Sequence, residues 1–173
     1  MIYTYDDFLE AMLMWAPVVL GIMLDQFIKL LVVMNVPVGG VVSLFPGLSV
    51  ALVMNRGVAL SLFSMTEGLY HLALNIVIFV FNLILVELLS VSRDARPLYR
   101  FSLQLVISGG LSNMIDRVCY GAVVDYIFLN YASVQWPAIF NFADVMITLG
   151  CVLIIFESYY SRSAPHGSSA SIV

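Results

Sequence analysis

The chain has 173 residues, 62% of them hydrophobic and 10% charged, with a mean hydropathy of +1.02. A soluble domain carries about 25% charged residues, so a water-solvated globule is excluded and lipid is the expected solvent. Eleven acids against seven bases give a net charge of −4, and no Lys/Arg cluster could neutralise a run of phosphates, which excludes nucleic acid as a partner.

In chain order, the N-terminal Met-Ile-Tyr-Thr-Tyr-Asp-Asp lacks the basic region of a signal peptide, and the apolar run after it exceeds signal length, so the first helix is expected to stay in the mature protein. Apolar segments from about Phe8 to Val33, Leu69 to Val91, Phe101 to Val118 and Ala138 to Tyr160 each come near the length that crosses a bilayer. Four crossings put both termini on one side. Arg93, Arg96 and Arg100, between the second and third segments, and Arg162, after the fourth, make that side cytoplasmic by the positive-inside rule. Lys29, Arg56 and Arg117 then fall near the outer face and need a local reason.

The connection from about Pro37 to Thr66 alternates Val, Ser, Gly and Pro, which predicts short strands and turns. The stretch from about Tyr120 to Pro137, with Val123-Val124-Asp125-Tyr126-Ile127-Phe128 and aromatics through Trp136, predicts further strand or interfacial structure. A small β-rich cap is therefore expected on the outer face. The Ser-rich residues 161–173 are expected to form a disordered tail behind a single membrane domain spanning 1–160. Cys119 and Cys151 show neither metal-ligand nor disulfide spacing and read as packing residues.

Asp25 and Lys29 stand at i and i+4 with the acid first, the favourable order for an ion pair, serving either structure or a substrate site. Asn113, Asp116 and Arg117 share a helix face after Gly109-Gly110, and Arg117 is the expected partner that keeps Asp116 ionised. Asp125 and Asp144 have no base within four positions and sit among apolar residues, so desolvation is expected to raise their pKa values. Brought together, two such carboxylates would share a proton, as an aspartyl protease requires: one takes a proton from water while the other polarises a carbonyl. Asn141, three residues before Asp144, could hold a carboxylate or a substrate carbonyl. The same acids could instead relay protons or ions in a small membrane carrier, although carriers usually show paired halves with sites near the midplane. His71, Asn75 and Asn82 form a stripe on the second segment that reads either as interhelical hydrogen bonds or as the wall of a site. His-Glu-x-x-His is absent, which disfavours an intramembrane metalloprotease.

Five blocks resemble the lipoprotein signal peptidases, or signal peptidase II: Asp25-Gln26-Phe27-Ile28-Lys29, Asn55-Arg56-Gly57-Val58-Ala59, Gly109 through Arg117, Val124-Asp125-Tyr126, and Phe140-Asn141-Phe142-Ala143-Asp144. The resemblance implies an all-α membrane protein of four transmembrane helices with a small extracytoplasmic β-cradle and a short mobile helix over the site. It implies an inner-membrane aspartyl peptidase with catalytic Asp125 and Asp144, working without cofactor or metal. Asp25, Lys29, Asn55, Arg56, Gly57, Asn113, Asp116, Arg117 and Asn141 would support the dyad or contact substrate. The substrate implied is a prolipoprotein carrying diacylglycerol on its lipobox cysteine, met within membrane lipid by a monomeric enzyme and cut just before that cysteine. Where the family often has an aromatic after Asn-x-Gly-x-Ala, this chain has Leu60, a departure that touches only the mobile cover.

Overall fold

The computed structural model describes residues 5–56, 67–131, 134–135 and 138–163. The expected cover over the site, with Gly57 and Leu60, lies outside the described residues, as do Trp136 and the tail beyond 163.

Four helices and four strands make up the described chain: α1 (Tyr5–Asn35), β1 (Val41–Phe45), β2 (Gly47–Asn55), α2 (Glu67–Val91), α3 (Pro97–Tyr120), β3 (Val123–Tyr131), β4 (Val134–Gln135) and α4 (Phe142–Ser163). Each expected apolar segment is helical, with shifted ends. Pro97, expected in the connection, starts α3, because proline's missing N–H and fixed φ suit the first helical position. The last helix starts at Phe142, not Ala138, because Phe140 pairs with Ile127 of β3 through both backbone groups. It continues to Ser163, so residues 161–163 are helical where a tail was expected.

Three helices, α1, α2 and α4, contain stretches long and apolar enough to cross a membrane: Leu9–Asn35, Leu72–Val91 and Phe142–Tyr160. Their outward faces carry exposed Leu20, Phe27, Val77, Ile84, Val152 and Phe156, as expected of helices solvated by lipid. The third helix is different. It packs against each of the other three and buries Ser102, Gln104, Ser108, Ser112, Asn113 and Asp116. Because neighbouring helices surround it, protein partners satisfy its polar groups: Gln104 donates to the Met14 carbonyl of α1 at 2.8 Å, and Ser108 donates back to the Gln104 carbonyl at 2.6 Å. Its length suits a crossing while its composition does not, and its central position accounts for the difference.

Glycine permits a close approach of α3 to α4. A Cβ on Gly109 would collide with the Ala143 carbonyl in the first turn of α4. That carbonyl is backbone and cannot swing aside. Gly109→Ala is accordingly expected to part α3 from α4 at a cost of about 1–3 kcal/mol, typical of overpacking, read as a lowered thermal midpoint of the purified protein in detergent.

The strands form one antiparallel sheet in the order β1-β2-β3-β4 at one end of the bundle. Between Val50, opposite Ile127, and Val53, opposite Asp125, strand β2 carries one more residue than β3, a bulge. Strand alternation then splits β3 between two faces. Val124 and Tyr126 are buried with Val32, Val36 and Leu52 where α1 meets the sheet. Asp125, on the opposite face, points the same way as Asn55, its diagonal neighbour on β2. A second core, Met14, Val18, Leu85, Leu89, Leu103, Val106 and Ile107, joins α1, α2 and α3.

Candidate active site

The start of α4 organises the site. Asn141 is its N-cap: the Asn141 Oδ1 accepts the Asp144 N–H at 2.9 Å, and the Asp144 Oδ2 accepts the Asn141 N–H at 3.1 Å. This is a capping box built from Asn and Asp, and it fixes the Asp144 carboxylate in the first turn. The next two N–H groups of the helix are also taken by side chains. Phe142 donates to the Tyr126 hydroxyl at 3.2 Å and Ala143 to Asp25 Oδ1 at 2.9 Å. Helix termini otherwise leave such donors unsatisfied, so these bonds seat α4 on β3 and α1.

Asn141 also reaches Asp125. Its Nδ2 donates to Asp125 Oδ1 at 2.8 Å and lies 3.1 Å from Asn113 Oδ1. Asn113 in turn donates from Nδ2 to Asp144 Oδ1 at 2.9 Å, and Asn55 donates to Asp125 Oδ2 at 2.8 Å. The two carboxylates, nineteen positions apart in sequence, thus share one amide network. Burial pushes the Asp125 carboxyl up from 3.8 to about 6, with a smaller push from the Asp144 charge, while hydrogen bonds from Asn55 and Asn141 hold it down. The expected upward shift is therefore found at Asp125.

Beneath this pair lies an ion cluster. Lys29, fully buried, places its ammonium 2.7 Å from Asp25, 2.7 Å from Asp116 and 2.9 Å from the Asn113 Oδ1. Asp25 and Asp116 are also inaccessible to solvent. Ser112 donates to Asp25 at 2.6 Å, Gln26 donates to Asp116 at 2.8 Å, and the Val124 N–H donates to Asp116 at 3.1 Å. Asp116 thereby fixes the start of β3, one residue before Asp125.

The expectation that Arg117 is the partner of Asp116 is corrected here. Residues at i and i+1 point in different directions on a helix, so Asp116 turns toward α1 and pairs with Lys29, whereas Arg117 donates to the Asn113 carbonyl at 3.1 Å. Arg117 lines a cleft of about 380 Å³ between α2, α3 and α4 with Asp144, Asn113, Val77, Phe81 and Ile147. Arg56 is exposed just past the end of β2. Its position beside Asn55 does not bring it into the network by any described contact.

Gln26, Ser112 and Tyr126 carry no site role in the reading of the sequence, although all three lie inside the matched blocks. Tyr126 and Ser112 read as ordinary strand and helix residues until α4 is seen to rest on one and Asp25 on the other. The Asn141-x-x-Asp144 capping box was readable as a helix start.

The model of a family described as signal peptidase (SPase) II matches residues 17–160. A lipoprotein signal peptidase of Bartonella henselae is 39% identical over 145 residues, covering 83% of this chain and 86% of that one. Its counterpart in Mesorhizobium japonicum is 38% identical over 149 residues, covering 83% and 85%, and that of Clostridium tetani is 34% identical over 139 residues, covering 80% and 86%. Two solved structures described as a bacterial membrane enzyme superpose with TM-scores of 0.69 and 0.67. They share 24% and 25% identity with this chain and cover 89% and 84% of it, and 92% and 91% of their own chains.

Proposed function

The chain belongs to the signal peptidase II family, a bacterial multi-pass membrane peptidase, and on that premise we propose that it is an aspartyl endopeptidase cutting diacylglyceryl-modified prolipoproteins just before the lipidated cysteine. What carries the reading is the bridging of Asp125 and Asp144 by one residue, Asn141, with Asp144 lining an apolar cleft. The carrier reading has no comparable support.

The roles divide by environment. Asp144, held in place at the start of α4 by the Asn113 amide and the Asn141 backbone N–H, is left as the partner that serves as the base. Asp125, raised to about 6, is the member that holds the proton and polarises the scissile carbonyl. Asp144 removes a proton from water as the oxygen adds to the carbonyl carbon. Collapse of the tetrahedral diol breaks the C–N bond, the leaving nitrogen takes that proton, and Asp125 recovers its own. Arg117, in the same cleft, faces substrate carbonyls or the lipid headgroup with a fixed charge.

All four helices cross the membrane in this reading, with α3 shielded by the others. The sheet lies on the outer side and both termini are cytoplasmic, following Arg93, Arg96, Arg100 and Arg162. Lys29, which contradicted that rule in sequence, is consumed by two buried carboxylates and says nothing of topology. A signal helix and two acyl chains arrive by lateral diffusion, which aligns the scissile bond at the interface. The protein acts as a monomer.

The test is incubation of the purified chain in lipid with a diacylglyceryl-modified precursor, with products identified by mass. Cleavage one bond before the modified cysteine, retained after exhaustive chelation, is expected; no cleavage, or cleavage lost with the chelator, would sink the proposal. The assignment of the proton also predicts a pH profile. If Asp125 must be protonated, kcat/KM of the free enzyme falls as pH rises through about 6. Asn55→Ala removes the strongest bond holding that carboxyl down, so it should move this basic limb to higher pH. A limb that stays or moves down would refute the assignment.

A further inference from the structure

Asn82 belongs to no block that resembles the family, yet it lines the cleft that holds Asp144, Asn113 and Arg117. It is 3% exposed, on a helix otherwise rich in Val, Ile, Leu and Phe. Its Nδ2 donates to the Ile78 carbonyl of its own helix at 2.8 Å, so it makes no bond across to α3 through that group. Its Oδ1 is buried without a protein partner. The amide lies over Gly110, where a Cβ would stand 2.5 Å from Oδ1 and 2.8 Å from Nδ2, so only glycine lets it lodge there. An orphaned carbonyl at membrane depth is costly and calls for a donor from outside the described protein.

The other polar residues of the cleft cannot do what Asn82 can. Arg117 only donates. The Asn113 Oδ1 already accepts from Lys29 and Asn141, and the Asp144 carboxylate is assigned to the water. Asn82 carries the free acceptor of the described lining. Gly110 lies three residues from Asn113, about 4.5 Å along the helix toward the bundle interior.

Resting on the peptidase reading, we propose that Asn82 is a substrate-positioning residue whose carbonyl accepts a backbone N–H from the signal peptide one or two residues before the scissile bond. A substrate must be extended there to offer the bond to the dyad, and extended backbone within the membrane has N–H groups that neither helix nor water satisfies. One or two extended residues at about 3.3 Å each span the offset between Asn113 and Gly110.

The experiment uses binding, so that it does not depend on cleavage. A fluorophore-labelled diacylglyceryl-modified precursor peptide is titrated onto the full chain carrying Asp144→Asn, with and without Asn82→Leu, in detergent. The expected result is a Kd about tenfold higher with Asn82→Leu, the size of one buried hydrogen bond, and a thermal midpoint unchanged or raised because an orphaned carbonyl is gone. Peptides N-methylated at each of the last three signal residues in turn should include one whose Kd rises with Asn82 present and not with Asn82→Leu. An equal Kd in the two chains, equal penalties from every methyl group, or a lowered thermal midpoint would overturn the proposal. Failure of the unmodified chain to cleave would instead sink the peptidase reading and leave the binding comparison standing.

Discussion

Asp125→Asn and Asp144→Asn are each expected to lower kcat by about 10³-fold or more, with the double variant little worse than either. A positioned acid or base contributes about 10²–10⁴-fold, and residues that act as one unit lose their effect together. Asparagine keeps the shape and one accepting oxygen at each site, so the Asn141 bridge can persist while the proton traffic stops. Stability separates this outcome from misfolding. A carboxyl whose folded pKa is raised from 3.8 to about 6 stabilises the fold fully below 3.8, and that contribution is lost as pH rises through about 6. The Asp125→Asn chain has no such titration. Its thermal midpoint should therefore gain on the wild type between pH 4 and 6 and lie at or above it at pH 7.5. Retained cleavage in either variant would remove that residue from the dyad, and a midpoint that collapses for Asp125→Asn at pH 7.5 would show that its carboxylate is structural.

Hydropathy made the spans legible because a helix facing lipid has to be apolar on its outer side, and α1, α2 and α4 are. It described α3 less well, since a helix enclosed by three others obeys packing and hydrogen bonding instead. The two carboxylates without basic neighbours were also legible, as was the pairing of Lys29 with Asp25, because both arguments use spacing along one segment. What depended on assembly was hidden. The bulge in β2 sets which way Asp125 points relative to Asn55, and no local pattern in Gly47 to Asn55 announces it. The partner of Asp116 comes from 87 positions away, so the nearer Arg117 was the natural expectation and the wrong one. Gln26 and Ser112 matter only because α1 and α3 place them against the same two carboxylates.

Lys29→Met is expected to cost more stability than Asp25→Asn, although both break the same 2.7 Å ion pair. The reason is the charge left behind. The intact cluster holds two carboxylates and one ammonium, an excess of one negative charge that Gln26, Ser112 and the N–H groups of Val124 and Ala143 absorb. The positive end of the α4 dipole assists them. Removing Lys29 leaves two buried anions with no cation, which costs about 3–5 kcal/mol for an uncompensated buried charge. Removing the charge of Asp25 leaves Lys29 and Asp116 as a neutral pair, with an oxygen still available to Ser112 or Ala143, and costs about the 1–3 kcal/mol of an imperfectly satisfied polar group. For a chain of this size the first loss lowers the thermal midpoint by about 10 °C and the second by about half as much. Activity should follow the same order for a different reason. Lys29 donates to the Asn113 Oδ1, and that bond, with the one from Asn141, keeps the amide nitrogen toward Asp144. Without it Asn113 is held only by Asn141 and positions its donor to Asp144 less firmly, so kcat falls with KM little changed. Equal loss of stability in the two variants would mean that the cluster is held by its hydrogen bonds and that the balance of charge does not matter.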